Sequence, residues 1–378
     1  MEKVAIIMAG GSGNRFWPLS RISRPKQLIK FEEDGTTLLE AAIQRAQTLM
    51  PVENVFIITN QYLQEPIRNL LPNLPEENVI AEPLKRNTGP CLALSSSIIS
   101  ARFEQKGLQP SDILVSVLTA DQRIFPTEAF TKTVEPILRF VQYNNVLATI
   151  GIRPVRPETG YGYIEVEDEF DYSTQNIQIK PLKSFHEKPN SDTAAKYFAS
   201  RKFLWNSGMF FWKLDVFNTK FLNYYPIIGE KIDSMTNILK NNPYNSDLTR
   251  NKEILNIYSN FPDISIDYAL LEKAKKIVVA KATFSWEDLG SYDALPRIYP
   301  VDDAQNYIKG NTTLIDVNES IIINDTTKNK DMILTVLGLK KIVAVVTDDA
   351  VMLCPKDRVQ EVKRIVEKLN YEGKTNWL

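Results

Sequence analysis

Gly10-Gly11-Ser12-Gly13-Asn14-Arg15 stands directly behind the apolar run Val4 to Ala9, and Pro25-Lys26-Gln27 follows shortly after. Glycines at the C-terminal end of a buried strand let main-chain N–H groups approach a phosphate chain, and open α/β sheets bind ligands in that crevice. The segment therefore points to a nucleotide. Arg15 and Lys26 add two cations that a plain tight turn does not require. A dinucleotide fingerprint would need glycine at position 16, where Phe16 stands, and a P-loop reading of Gly373-Lys374-Thr375 fails because its first glycine would fall on Lys368. His186 is the only histidine, which excludes a multi-histidine zinc site and leaves a single place around which a Ser/His/Asp triad could be built. The chemistry must run on carboxylates, lysine, arginine and backbone.

Such residues need a scaffold, and hydrophobic periodicity supplies its outline. Val4 to Ala9, Val55 to Thr59, Ile113 to Leu118 and Val146 to Ile150 read as strands, alternating with helix-period segments Leu38 to Leu49, Cys91 to Phe103 and Phe130 to Val141. That order predicts an α/β fold with a Rossmann-like, mixed but mostly parallel sheet covered on both faces. Beyond residue 150 the pattern is mixed, with strands expected around Tyr161 to Val166, Lys183 to His186 and Met209 to Trp212. This half is expected to supply a second substrate's pocket. After Pro300 short β-rich pieces, Thr313 to Val317, Ser320 to Ile323, Ile342 to Thr347 and Val351 to Leu353, lead into a helix over Asp357 to Leu369. The expected division is a catalytic domain over 1–298 and a small β domain over 299–378.

Composition narrows the function classes. The 45 basic and 46 acidic residues nearly cancel, with no Lys/Arg block to mark a polyanion footprint, so nucleic acid is not an expected partner. Charges or turn residues interrupt every apolar run before membrane-spanning length, and Met1-Glu2-Lys3 leads straight into the first strand without signal-peptide features. With Cys91 and Cys354 alone, a disulfide framework is excluded, which fits a reducing cytoplasm.

The loop from Gly10 through Trp17-Pro18-Leu19-Ser20, with Pro25-Lys26-Gln27, resembles the opening of sugar nucleotidyltransferases, and of mannose-1-phosphate guanylyltransferases in particular. Further matches follow in the family's order: Ala81-Glu82-Pro83 with Arg86-Asn87-Thr88, Ala120-Asp121, Gly160-Tyr161-Gly162-Tyr163-Ile164, Phe185-His186-Glu187-Lys188-Pro189, Trp205-Asn206-Ser207-Gly208-Met209-Phe210, Ser265-Ile266-Asp267-Tyr268-Ala269, and Trp286-Glu287-Asp288-Leu289-Gly290-Ser291. The resemblance spans nearly the whole chain. It implies that GTP and mannose 1-phosphate combine to GDP-mannose and diphosphate, aided by Mg²⁺ or another divalent cation.

The resemblance also implies site roles. Gly10, Gly11, Ser12, Gly13, Asn14 and Arg15 would hold the nucleotide's phosphates, with Arg15, Lys26 and Lys188 as catalytic cations. Asp121 and Asp288 would be the metal carboxylates; outside that context they read as a loop cap and as an N-cap for a helix near Ser291. Gly162, Glu187, Lys188 and Asn206 would bind the sugar phosphate, and Glu82, Asn87 and Thr88 the guanine and ribose, since guanine's donor edge suits a carboxylate acceptor. Trp205, Trp212 and Trp286 are expected to pack beside the site. A sugar phosphate's second pKa near ~6 makes it a ready nucleophile at neutral pH, which agrees with a chain holding one histidine.

Two departures stand out. Thr119-Ala120-Asp121-Gln122 replaces the family's usual Pro-Ala-Asp-His, which keeps the carboxylate but changes its neighbour from imidazole to amide. Gly89 takes the place of the usual alanine and is expected to loosen its loop. The C-terminal part, with Gly338-Leu339 and Val345 to Val351, resembles the short left-handed β-helix piece that these enzymes append, and is expected to make a homodimer through unpaired edges. Because the chain ends at Leu378, the isomerase domain of long family members is expected to be missing. Rival readings are another sugar-1-phosphate nucleotidyltransferase, or a catalytically silent nucleotide-sugar sensor; the latter would have lost a charged residue among Arg15, Lys26, Asp121, Lys188 and Asp288, all of which are present.

Overall fold

The computed structural model describes every residue except 12, 33, 169, 172–175, 242–247 and 330. Packing divides the chain into two units, one of residues 1–10, 42–120 and 124–286, the other of residues 11–41, 121–123 and 287–378.

In chain order the strands up to residue 287 are β1 (Glu2–Met8), β2 (Val55–Thr59), β3 (Val79–Ala81), β4 (Ile113–Thr119), β5 (Arg123–Phe125), β6 (Leu147–Ile152), β7 (Tyr163–Val166), β8 (Ile179–His186), β9 (Phe203–Lys213), β10 (Ile277–Lys281) and β11 (Ser285–Glu287). In the first unit nine of these form one sheet, ordered β3-β2-β1-β4-β9-β6-β10-β8-β7. The first four are parallel, as Val/Ile-rich runs buried on both faces should be. β9 then enters antiparallel between β4 and β6, so the sheet is mixed and its parallel character belongs mainly to one half.

The helices of this region are α1 (Leu38–Gln47), α2 (Gln61–Leu70), α3 (Thr88–Glu104), α4 (Thr127–Tyr143), α5 (Ser191–Ser200), α6 (Leu214–Tyr224), α7 (Pro226–Asn241) and α8 (Lys252–Ser259). Alternate residues of β4, Ile113, Val115 and Val117, share a core with Leu94 and Ile98 of α3, Phe217 and Phe221 of α6 and Ile232 of α7. α4 packs on β4, β6, β9 and β10 through its Phe130, Val134, Ile137 and Val141 stripe. The register sets Met8 beside Thr119, so β1 and β4 end together, and Ala120 N donates to Met8 O at 3.2 Å.

The second unit joins distant stretches of chain. β12 (Tyr307–Lys309), β14 (Ile321–Asn324) and β16 (Ile342–Val346) are parallel rungs, β13 (Thr312–Ile315) pairs in parallel with β15 (Leu334–Leu337), and β17 (Val351–Pro355) closes antiparallel on β16. This is a short β-helix-like stack. Its core holds Ile321, Ile323, Val343, Val345, Val359 and Val362 together with Phe16, Trp17, Leu19, Ile29 and Phe31 from the N-terminal loop. Phe16 meets Phe31 and Tyr292 edge-on, with ring centroids at 5.2 and 5.0 Å, and the Tyr292 hydroxyl donates to Phe16 O at 2.8 Å. Trp17 Nε1 donates to Trp377 O at 2.8 Å. The Trp-Pro-Leu part of the opening motif is thus a buried strut of the β unit.

Candidate active site

Lys26 is the centre of the charged cluster in the second unit. Its side chain is buried, and Nζ lies 3.0 Å from Asp121 Oδ2 and donates to the main-chain oxygen of Asp288 at 2.7 Å. Burial alone would lower the ammonium pKa, but Asp121 and Asp288 outweigh it and leave it raised. Lys26 is therefore a fixed cation. Gly13 makes room for it: its φ is +60°, and a Cβ there would come within 2.6 Å of Lys26 Cβ. Asn14 and Arg15 follow in one exposed turn, and the charge of Arg15 acts on both Lys26 and Asp288.

Asp288 sits in a braced turn. Its neighbour Glu287 is buried and bound by Arg297 at 2.8 Å, while Leu289 is fully buried with φ +49°. Desolvation pushes the Asp288 carboxyl up to about 6, with Lys26 opposing and with Asp121 and Glu287 adding to the rise. Ser291 is the residue preceding the turn that starts at Tyr292, so Asp288 is not its N-cap. Two hard carboxylates that repel one another beside a phosphate-type loop fit a divalent cation such as Mg²⁺, which commonly takes one or two carboxylates and completes its shell with water and phosphate oxygen. Among the described residues no group of three or more His, Cys, Asp or Glu side chains forms a cage for a metal.

A second cluster lies in the first unit. Lys188 follows β8 with φ +42°, and its Nζ is 2.5 Å from Glu187 Oε1. Burial pulls its pKa down, but Glu187 and Asp267 pull harder and raise it. Asn206 N donates to Gly162 O at 2.8 Å, and Asn206 Nδ2 donates to Asp267 Oδ1 at 3.3 Å. A Cβ on Gly162 would stand 2.6 Å from Glu187 Oε2, so glycine there is what lets Glu187 lie where it does. Gly162, Glu187, Lys188 and Asn206, scattered along the sequence, are brought together.

Asp267 joins them, although its motif alone carried no assigned role. Burial and the facing Glu187 raise its carboxyl to about 6. A polar residue inside a dense sequence motif was the available signal, but its partners come from strands that only folding brings near. Tyr161 stacks edge-on against Trp205 and Trp286 at 5.2 Å each, and Trp212 is buried against Phe217, so all three tryptophans pack. The sole histidine bonds Ser184 Oγ through Nε2 at 2.8 Å and lies among Tyr197 and Phe203, a satisfied structural residue.

The third group, also in the first unit, starts at the end of β3. Glu82 Oε2 accepts from the Tyr258 hydroxyl at 2.6 Å. Asn87, with φ +65°, precedes α3, and Thr88 Oγ1 accepts from Ile266 N at 2.9 Å. Gly89 N donates to Ile264 O at 3.0 Å, and a Cβ at position 89 would reach that oxygen at 2.8 Å. Glycine in place of alanine therefore permits a tighter backbone contact, the reverse of the loosening expected. Gly10 and Gly11 are exposed and a Cβ on either would meet no protein atom within 4 Å, so protein packing does not demand glycine there. Ser12 lies outside the described residues.

Residues 4–304 match the family described as "Nucleotidyl transferase", and residues 310–369 match one described as "MannoseP isomerase/GMP-like beta-helix domain". A mannose-1-phosphate guanylyltransferase of Escherichia coli is 30% identical over 98% of this chain and 76% of its own length. One of Salmonella montevideo is 32% identical over 98% of this chain and 74% of its own length. The crystal structure described as mannose-1-phosphate geranyltransferase from Thermus thermophilus superposes with a TM-score of 0.81 at 27% identity, covering 98% of this chain and 100% of that one.

Proposed function

This chain belongs to the nucleotidyl transferase family, and from that premise we propose that it is a mannose-1-phosphate guanylyltransferase, making GDP-mannose and diphosphate from GTP and α-D-mannose 1-phosphate. The observation that carries the reading is the buried Lys26 ammonium set against Asp121 and Asp288 on a glycine loop. A sugar phosphate oxygen attacks the α-phosphorus in line; the new P–O bond forms as the bond to the β-phosphate oxygen breaks, and diphosphate departs with that electron pair. No base is needed, because a phosphate monoester with a second pKa near ~6 is already an anion at neutral pH.

Lys26 and Arg15 neutralise the triphosphate, and Glu187 with Asp267 accepts hydrogen bonds from sugar hydroxyls while Lys188 holds the sugar phosphate. Mg²⁺, held by Asp121 and Asp288, would supply charge neutralisation at the reacting phosphate. Glu82 faces the donor edge of guanine, with Asn87 and Thr88 at the ribose. Assay of the purified protein with four nucleoside triphosphates against mannose, glucose and galactose 1-phosphates tests the reading. A preference for any pair other than GTP and mannose 1-phosphate overturns it.

Gly162→Ala should raise the KM for mannose 1-phosphate about tenfold, because the added methyl would stand 2.6 Å from Glu187 Oε2 and 2.9 Å from the Phe185 ring, and the carboxylate, at the free end of its side chain, swings off the sugar. The KM for GTP should stay within twofold. Equal rises for both substrates would remove Glu187 from the sugar site.

A homodimer and a cytoplasmic setting belong to the same proposal. No helix among the described residues is long and apolar enough to cross a membrane, and both cysteines are free thiols. Ile315 and Leu337 stand exposed and directly paired across β13 and β15, an apolar patch that a second copy of the chain would cover. Leu337→Glu should sediment as a monomer at micromolar concentration where the unaltered protein is a dimer. A dimer that survives the change moves the interface elsewhere.

A further inference from the structure

Tyr258 lies on α8 with its whole side chain shielded from solvent, an expensive place for a phenol hydroxyl unless it has a partner. The partner is Glu82 Oε2, at 2.6 Å, a distance typical of a hydroxyl donating to a carboxylate oxygen. The chain builds around this contact from both sides. Arg86 donates to Ser259 O at 2.9 Å, Thr88 Oγ1 receives Ile266 N, and Gly89 N reaches Ile264 O, so the segment after Glu82 is laced to the segment after Tyr258. Nothing in the phosphate chemistry needs this arrangement.

We infer that Tyr258 is a positioning residue for base selection, holding Glu82 as the hydrogen-bond acceptor that a guanine edge requires. The inference rests on the reading of Glu82 as the base-facing carboxylate. An ionised carboxylate accepts both N1–H and the 2-amino group of guanine; a protonated one offers a donor instead, which suits bases that present an acceptor. The groups facing Glu82 are the Tyr258 hydroxyl from α8 and the Cys91 thiol from α3, with Arg86 acting on the tyrosine. Burial raises the Glu82 carboxyl to about 7, and the Tyr258 and Cys91 donors limit that rise. Removal of the hydroxyl leaves the acceptor misaligned and more readily protonated.

The experiment uses the full chain and its Tyr258→Phe and Glu82→Gln variants, with GTP and ITP as alternative substrates between pH 6 and 9. ITP lacks the 2-amino group, so the ratio of the two kcat/KM values reads that contact. For the unaltered protein the kcat/KM for GTP should rise through about pH 7. In Tyr258→Phe the GTP KM at pH 7 should increase about tenfold, the GTP/ITP ratio should fall toward one, and the rise should move to higher pH, while the KM for mannose 1-phosphate stays within twofold. An unchanged ratio and an unshifted pH profile in Tyr258→Phe, with Glu82→Gln impaired, would overturn the role of Tyr258 alone. An unchanged ratio in Glu82→Gln would overturn the base reading and the inference with it.

Discussion

Asp288→Asn should lower kcat/KM by about 10²- to 10³-fold, the usual cost of removing a group that stabilises charge at a reacting centre, while the folded protein should become no less stable. The two halves of that expectation have one cause. Desolvation, Asp121 and Glu287 together outweigh the attraction of Lys26 and hold the Asp288 carboxyl at about 6, above its ordinary 3.8. A carboxyl raised by folding contributes stability below about pH 4, and that contribution is lost as pH rises through about 6. At neutral pH the ionised group is therefore a burden on the fold, one that the proposed two-carboxylate metal site would require. Asparagine should remove the burden and the function together, while Lys26 retains Asp121, 3.0 Å away, as its partner. Thermal melts at pH 5 and pH 8 should show the variant gaining on the unaltered protein at the higher pH. Near-normal turnover at limiting Mg²⁺, or a melting temperature lowered by many degrees at pH 8, would be incompatible with this account.

Lys188→Ala should raise the KM for mannose 1-phosphate by one to two orders of magnitude and that for GTP little, whereas Arg15→Ala should do the converse. Lys188 belongs to the unit that carries Gly162, Asn206 and Asp267, and Arg15 to the unit that carries Lys26, Asp121 and Asp288. Each cation therefore has a different set of neighbours. The left-handed backbone at Lys188, costly for a residue with a side chain, aims Nζ at Glu187 and into the field of Asp267, and the two acids keep the amine protonated across the working pH range. A charge-assisted contact to phosphate is worth about 1.5–3 kcal/mol, which is the factor of ten to one hundred expected. Steady-state kinetics with each substrate varied in turn decides the matter, and equal losses for both substrates in Lys188→Ala would end the separation of roles.

Features that depend on neighbours along the chain are legible in the amino-acid order alone. The β2 run Val55–Thr59 is recognisable because five apolar or β-branched residues stand between turn signals, and α4 because its apolar residues recur with helical spacing, whereas α3 is buried on nearly every side and carries no such stripe. The loop behind β1 stands out for the same local reason, as glycines after a strand with cations close by, and its role in holding phosphate is part of the proposal. Features that join residues far apart had to wait for the folded chain. Alternation of apolar residues cannot say that β9 would enter between β4 and β6 and reverse the direction of the sheet, because pairing partners are chosen by the whole core rather than by either strand. Nor does composition reveal that residues 11–41 pack with 287–378, so that Phe16 and Trp17, which read as part of a binding motif, are buried struts of the β-helix-like stack. Lys26 meets the Asp288 carbonyl across 262 positions of chain, and Tyr258 meets Glu82 across 176. Those meetings set the charges of the site, since a pKa answers to burial and to charges in space, and one-dimensional spacing records neither.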